Sequence, residues 1–405
     1  MNKEDLATEV AKVVGKKKVA KDAIDCALEV VKKKSKVLGM KVALAAIVAV
    51  LNFGNQAVAA SAAGANEWES TIAAAKREGK VVVIGPQGNE TREALTEGFQ
   101  RKYPEIKVEH GGIAGAQLPP KLLAEQRSEL YSVDLLVLGT TTAINGLLPV
   151  KAVIPIKPFM VGPNTADASV WLNKKFSFAD DAGQYIVLMS VYIQPPFVYN
   201  TTMISAKEIT AWKDLLAPKW KGKLAVRDPR LAGGGLANAT FWYASPKLGK
   251  EFIKKLFASQ EITMSRDDRQ LLNYVGQRKY PIAIGPSEVL TKEWALKGVP
   301  VDRYNPEGMQ EGALTTAGNG ALCVPRNPPH PNALKVYIDY ILSKQGQTEW
   351  SKAIGLASLR QDVPRDHVDE HLIPKEGVQY LDSHLERYVN MRNEVVEFLN
   401  TIIGR

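Results

Sequence analysis

The strongest constraint on the fold is a regular alternation of short apolar strands and amphipathic helices after residue 63. A helix is predicted over Trp68–Glu78, and Gly79 separates it from an apolar strand at Val81–Ile84. The elements that follow are a helix at Glu90–Lys102, a strand at Ile106–Glu109, a helix at Leu122–Ser128 and a strand at Val133–Leu138. Strands separated by helices at this spacing form right-handed βαβ units, so we expect an α/β fold with a parallel sheet. Such sheets bind ligands beyond the carboxyl ends of their strands.

A basic and then apolar segment precedes this part of the chain. The net charge is +9, and eleven lysines against six acidic residues give residues 1–60 a charge of +5, which leaves +4 for the rest. The lysines before Val42 are followed by an uncharged run, Val42–Leu51, and then by small residues at 57–62. This order predicts a signal peptide over residues 40–62 and a periplasmic protein. The run is shorter than the roughly 20 residues of a membrane-spanning helix, although an uncleaved amphipathic or buried helix is an alternative.

Residues 1–39 form a separate head in the sequence. Up to Lys34, apolar residues at helical spacing predict two amphipathic helices, which resemble the opening helix pair of HU-type histone-like proteins. The β-saddle and arms that grip DNA in that family do not follow. A misassigned start, with Met40 as the initiator, or a gene-fusion scar explains the resemblance, and we expect no nucleic-acid partner for the mature chain. A DNA-associated protein is the alternative.

Several motifs, in order, carry a resemblance to a known family. They are Gly79–Val83, Phe99–Glu109, Leu123–Glu125, Val133–Leu135, Tyr199–Thr201, His330–Lys335, Ile341–Gln347 and Arg360–Val363. Together they resemble the family-1 extracellular solute-binding proteins of ABC transporters, and within these the branch of ferric-iron, thiamine, polyamine and phosphonate receptors. The resemblance spans nearly all of residues 66–365.

This resemblance implies a type II periplasmic-binding-protein fold, with two doubly wound lobes joined by a crossover-strand hinge. Tyr185–Tyr199 is expected to be the outward crossing and Gly312–Val324 the return. Lobe one then comprises residues 63–190 plus 322–405, and lobe two with the hinge strands comprises residues 191–321. The implied protein is a monomer without cofactor, metal or catalytic activity, which closes on a small solute and delivers it to a membrane permease.

Four loops that each follow a predicted strand supply the candidate ligand-binding residues. They contribute Gln87, Asn89 and Thr91; Thr140, Thr141 and Thr142; Asp228, Arg230 and Gly234; and Ser287 and Glu288, while the crossover motif adds Tyr199. Loops that open helices present backbone N–H groups and the positive end of the helix dipole. The alternative for the hydroxyl and amide residues is ordinary helix capping. For Arg230 the alternative is an ion pair with Asp228.

The ligand class follows less directly from the sequence. Hydroxyl-rich loops, helix N-termini and Arg230 favour an anionic or zwitterionic solute, while polyhydroxylated or cationic ligands stay open. Ferric-iron receptors of the resembled branch carry a tyrosine pair in the last binding loop of lobe two, where this sequence has 285–288 as Gly-Pro-Ser-Glu. A ferric-iron or metal-chelate receptor is therefore an alternative, as is an enzyme on the same fold.

Two further features bear on reactivity. The sequence at 367–371 fits the zinc pattern H-x-x-E-H, but Pro364 and Pro374 flank it closely, so we expect a connector rather than a helical metal site. Cys323 lies in an apolar, strand-like run, which predicts a buried and unreactive thiol.

Overall fold

The computed structural model describes residues 66–404 apart from positions 114, 116, 307, 308, 376, 377 and 379. The predicted head at 1–39 and the predicted signal peptide at 40–62 lie outside the described residues. All the sheets described below belong to the unit Ala75–Arg405.

Fourteen strands are present in the described part of the chain. They are β1 (Lys80–Gly85), β2 (Lys107–Gly112), β3 (Leu135–Leu138), β4 (Val153–Ile154), β5 (Val187–Leu188), β6 (Tyr192–Gln194), β7 (Val198–Asn200), β8 (Leu224–Arg227), β9 (Thr263–Ser265), β10 (Ile282–Ile284), β11 (Val301–Arg303), β12 (Ala313–Thr316), β13 (Ala321–Pro325) and β14 (Tyr380–Asp382).

The α-helices lie between and after these strands. They are α1 (residues 66–78), α2 (Asn89–Lys102), α3 (Leu118–Arg127), α4 (Pro163–Ala166), α5 (Gly234–Ala244), α6 (Gly249–Ser259), α7 (Asp268–Gly276), α8 (Glu288–Leu296), α9 (Pro331–Ile341), α10 (Lys344–Ile354) and α11 (Glu386–Ile403). The predicted helix at Leu122–Ser128 begins earlier than expected, at Leu118, because Pro119 and Pro120 occupy its first turn, where proline is well tolerated. A π-helical turn at Thr142–Leu147 follows β3.

The first sheet forms lobe one and has the order β2-β1-β3-β13-β4, with β5 also paired to β13. β1 is parallel to β2 and to β3, whereas β13 is antiparallel to β3, β4 and β5. The strand β13 reaches this sheet only after the chain has passed through lobe two. The predicted parallel sheet with alternating helices is confirmed, with one antiparallel return strand inserted in it.

The second sheet forms lobe two and has the order β11-β7-β10-β8-β9. β8 is parallel to β9 and to β10, while β7 runs antiparallel to both β10 and β11. Its core is built on aromatic rings, with the Trp242 ring centroid 5.0 Å from Trp212 and 5.7 Å from Phe252. Trp242 is fully buried in this core.

A small third sheet joins the two lobes, in the order β14-β12-β6. β12 pairs antiparallel with β6 and parallel with β14. The strands β6 and β12 lie within the predicted crossings Tyr185–Tyr199 and Gly312–Val324. β14 is a third hinge strand that the sequence did not indicate.

The C-terminal helix α11 follows β14 and leaves the hinge for lobe two. Val395 and Leu399 are fully buried and belong to the same core cluster as Trp242. The sequence analysis grouped residues 322–405 with lobe one. In the structure β13, α9 and α10 lie with the first sheet, whereas the end of α11 packs on lobe two.

The structure also bears on the two reactivity predictions. Cys323 is buried as predicted, and this burial raises the pKa of its thiol. The H-x-x-E-H stretch forms a short 3-10 turn at Glu370–Leu372, and His367 Nε2 lies 2.8 Å from Ser351 Oγ. Within the described residues no group of three or more His, Cys, Asp or Glu is arranged to hold a metal ion. Among the same residues, no helix has the length and apolar character needed to cross a membrane.

Candidate functional site

The loops that follow β1, β2 and β3 lie side by side at the carboxyl edge of the first sheet. A Cβ atom added at Gly112, the last residue of β2, would fall 3.3 Å from Gln87 Cα. A Cβ added at Gly115 would fall 3.0 Å from Thr142 Oγ1. Two of the predicted loops therefore share one edge, which is where parallel sheets of this kind bind ligands.

The first of these loops holds Gln87, Asn89 and Thr91. The Thr91 hydroxyl lies 3.1 Å from Gly88 O and 3.3 Å from Pro86 O, so it donates within its own turn. This is the local role that the alternative interpretation of the sequence assigned to such residues. The Gln87 and Asn89 side chains are exposed.

The second loop holds Thr140, Thr141 and Thr142. Thr140 is buried, and the Thr142 N–H donates to Gly139 O at 3.1 Å as the π-helical turn begins. The Thr141 hydroxyl accepts a hydrogen bond from Arg392 Nη1 of α11. Of the three threonines, Thr141 is thus the one whose side chain connects this edge to a distant part of the chain.

In lobe two, the N-terminus of α5 packs directly on the loop after β10. A Cβ added at Gly285 would fall 2.5 Å from Gly235 N, and Gly285 has φ +81°, a conformation that favours glycine. A Cβ on Gly234 would clash with Gly285 O. Glycine is required on both sides, because only bare backbone allows these two loops to touch.

Asp228 and Arg230 form the ion pair that the sequence left open. Arg230 Nε donates to Asp228 Oδ1 and Nη2 donates to Oδ2, both at 2.9 Å. Asp228 is buried, and the hydrogen bonds from Arg230 lower the pKa of its carboxyl. Arg230 Nη1 also donates to Gly404 O at 2.7 Å. The guanidinium charge is therefore largely neutralised within the protein and is less available to a ligand.

Ser287 and Glu288 open α8. Ser287 Oγ accepts from Leu290 N at 3.4 Å, which is an N-cap. Burial first, and then the charge of the nearby Glu288 carboxylate, raise the pKa of Tyr192 on β6 well above its usual range. Glu288 thus links lobe two to the hinge.

Tyr199 does not lie with the other candidates. It pairs with Ile282 at the start of β10, whereas the loop with Ser287 follows the end of that strand. At about 3.3 Å per residue, this separates it by roughly 10 Å from Gly285. Its half-buried ring instead packs edge-on against Tyr304, with the centroids 6.3 Å apart.

The hinge strands bring the two edges together. On β6, Gln194 Nε2 donates to Gly234 O at 3.3 Å, in addition to the contact between Tyr192 and Glu288. On the return crossing, Gly318 O lies 3.3 Å from the position of a Cβ on Gly139, just before the threonine loop. The loops of both lobes therefore meet around the same three-stranded sheet.

Arg392 is the residue of this region that the sequence analysis missed. It lies on α11 among the buried residues Val389, Val395 and Leu399, at offsets of three, three and seven. A cation on an apolar helical stripe is unusual, and this spacing is the signal by which Arg392 could have been found in the sequence. Burial lowers the pKa of Arg392 to about 10, so it is still charged at neutral pH.

The sheet orders and the hinge define a class of protein: two α/β lobes, each presenting strand-end loops, joined by crossing strands. Residues 94–371, more than half of the chain, match the family model of bacterial extracellular solute-binding proteins. The chain therefore belongs to that family, and the resemblance seen in the sequence is confirmed. No curated protein sequence matches it.

Solved structures support the same fold. The periplasmic binding protein AfuA from Actinobacillus pleuropneumoniae, with fructose-6-phosphate bound, is similar over 80% of this chain and 98% of its own, at 18% identity and a TM-score of 0.59. Trichodesmium FutA with iron and citrate is similar over 81% and 100%, at 16% identity and 0.61. Iron-bound HitA from Pseudomonas aeruginosa is similar over 80% and 99%, at 15% identity and 0.57. The predicted type II periplasmic binding fold is confirmed. At sequence identities this low, the similarity shows the fold but does not identify the ligand.

Proposed function

We propose that this protein is the periplasmic solute receptor of an ABC importer, which closes on a small anionic or zwitterionic solute and delivers it to a membrane permease. The observation that carries the proposal is the meeting of the threonine loop of lobe one with the Gly234 and Gly285 loops of lobe two around one hinge sheet. Loops on two hinged bodies bury a ligand when the bodies close, and the ligand's higher affinity for the closed form drives that closure.

The polar groups of these loops support the ligand class. Thr141 and Thr142 offer hydroxyls at the edge of lobe one, and the 11-residue helix α5 directs its N-terminus to the loop after β10. Hydroxyls and backbone N–H groups suit a carboxylate or phosphate oxygen. Arg230 is weaker support for an anionic ligand than the sequence implied, because its guanidinium group already pairs with Asp228.

A ferric-iron receptor is the second candidate. Two of the similar structures hold iron, and in this chain the Tyr192 phenol and the Glu288 carboxylate lie together beside the hinge. Both supply oxygen ligands, which are the donors that hard cations prefer. The loop at 285–288 nevertheless has no tyrosine, and this weighs against iron.

A thermal-shift screen of the purified protein separates these candidates. Carboxylates, phosphate esters, amino acids, polyamines, sugars and ferric citrate are each added in excess. A ligand at about a thousand times its Kd stabilises the folded state by roughly 4 kcal/mol, which moves Tm by several degrees. A shift with anions or zwitterions supports the proposal, and a shift with ferric citrate but not with citrate favours the iron receptor. If no solute shifts Tm and one of them is turned over, the protein is an enzyme on this fold.

A further inference from the structure

The helix α11 runs from lobe one to lobe two past the candidate site. At its start, Glu386 N donates to Ala179 O at 2.8 Å, in the part of the chain that packs with the first sheet. At its end, Leu399 is buried in the lobe-two core and Gly404 O accepts from Arg230. The middle of α11, which includes Arg392, therefore lies beside the loops of the candidate site.

Arg392 has no counter-charge in the described part of the chain. Its Nη1 donates to Thr141 Oγ1 and its Nη2 to Ser383 O at 3.0 Å, while Nε is buried and has no acceptor. No described carboxylate forms an ion pair with it. Four other buried or half-buried arginines form ion pairs, which are Arg227–Asp268, Arg230–Asp228, Arg303–Asp369 and Arg360–Asp362.

The neighbouring titratable groups do not supply the missing charge. Asp382 accepts a hydrogen bond from Thr315 Oγ1 at 2.6 Å, and no ion pair joins it to Arg392 among the described residues. His384 is neutral near pH 7, because burial lowers its pKa to about 4. A half-buried cation is stabilised by an anion that compensates its charge, so an anion from outside the chain is the natural partner.

We propose that Arg392 and Thr141 together bind the oxyanion of the solute, a carboxylate or a phosphate. This inference rests on the proposed function and adds its recognition residue. The Thr141 hydroxyl accepts from Arg392, so its own proton is free to be donated to an anion oxygen. The second proton on each of the Arg392 Nη1 and Nη2 nitrogens is a further donor, since each nitrogen makes one hydrogen bond within the protein. Planar guanidinium groups favour this kind of multiple hydrogen bonding to oxyanions.

The test uses two anions and their neutral analogues as probes in calorimetric titrations of the full chain. Fructose-6-phosphate is paired with fructose, and citrate with trimethyl citrate. Arg392→Gln removes the cation, Thr141→Val removes the hydroxyl at similar volume, and Arg387→Gln is the matched control. Arg387 is an exposed arginine on the same helix and lies over the Tyr388 ring at 4.9 Å.

We expect an anionic probe to bind the unmodified protein and its neutral analogue to bind at least about tenfold more weakly. Hydrogen bonds to charged groups contribute enough that Arg392→Gln should weaken binding of the anion by roughly 10- to 100-fold. Arg387→Gln should stay within about twofold, since an exposed charge contributes little. Whichever probe binds identifies a phosphate or a carboxylate as the preferred oxyanion.

Two results overturn the inference. One is equal affinity of the Arg392→Gln and Arg387→Gln proteins for an anion that binds. The other is no binding of either anion at about 10 mM, a concentration at which even a weak millimolar site is occupied. Binding of a neutral or cationic solute in that case leaves the receptor function standing, whereas no binding of any solute class removes both. If Arg392→Gln does not fold, Arg392→Lys keeps the charge without the planar fork, and a loss of anion affinity at unchanged Tm decides the point.

Discussion

His384 gives this protein an acid sensitivity that the structure allows us to work out. The residue is buried where β14 joins α11. Burial lowers its pKa from 6.5 to about 4, opposed by the charge of Asp382 and assisted by that of Arg392. The folded protein therefore holds His384 neutral, and the unfolded chain takes up the proton first as the pH falls.

The sign and size of the effect follow from this difference in pKa. Above about pH 6.5 both states are neutral at His384 and its full contribution to stability is present. Between about pH 6.5 and 4 the unfolded state binds the proton and stability falls, by about 1.4 kcal/mol per pH unit and about 3.4 kcal/mol in all. From about pH 8 to pH 5 the loss due to this residue is about 2 kcal/mol.

Urea unfolding of the parent protein and of His384→Gln over that pH range measures this contribution. Glutamine does not titrate, so the variant should lose about 2 kcal/mol less between about pH 8 and pH 5 than the parent does. His110→Gln is the control. Burial and Arg92 also lower the pKa of His110, so its contribution to the pH dependence of stability has to be measured separately from that of His384. Parallel pH dependences of the parent and His384→Gln proteins would refute the reasoning.

Three further predictions concern the packing and charges around the site. Gly285→Ala should lower stability by about 2 kcal/mol or more in thermal unfolding, since the added Cβ would fall 2.5 Å from Gly235 N. The control is Gly183→Ala, which should cost only about 1 kcal/mol, because Gly183 also has a positive φ, +61°, but lies in open space. Trp242→Ala should cost about 3–5 kcal/mol in urea unfolding, because the ring is fully buried in lobe two. Asp369→Asn should destabilise the protein by about 1–3 kcal/mol near pH 7, because it leaves the buried Arg303 without its carboxylate at 2.6 Å. Burial opposes the hydrogen bond from Arg303, but the net effect lowers the pKa of Asp369, so the stability difference between the parent and the variant should shrink as falling pH protonates this carboxyl; a difference that does not shrink would contradict the charge argument.

Much of the fold was accessible from the sequence. The strand at Val81–Ile84 and the helix at Glu90–Lys102 appear in the structure within one or two residues, because apolar periodicity and turn residues act locally. The hinge crossings were predicted through the family resemblance, and β6 and β12 lie within the predicted ranges. The third hinge strand, β14, was missed because three residues of mixed polarity carry no periodic signal.

The candidate site was predicted less completely. The sequence identified which loops follow strands, and the structure brings the Gln87, Thr140–Thr142, Gly234 and Ser287 loops to the hinge region. It did not reveal that Tyr199 lies at the other end of its strand, since the antiparallel pairing of β7 with β10 depends on partners far along the chain. Whether each of these residues touches the solute stays a prediction.

Sequence alone determined the alternation of elements, the two-lobed family and the loops in which a ligand is to be sought, because each depends on patterns of neighbouring residues. Only the tertiary structure decided which charged side chains pair with one another. It neutralises Arg230 with Asp228, and it places Arg392 against Thr141, 251 positions away, with no described carboxylate paired to it. Charge compensation depends on distances in space and on burial, and neither can be read from the order of residues.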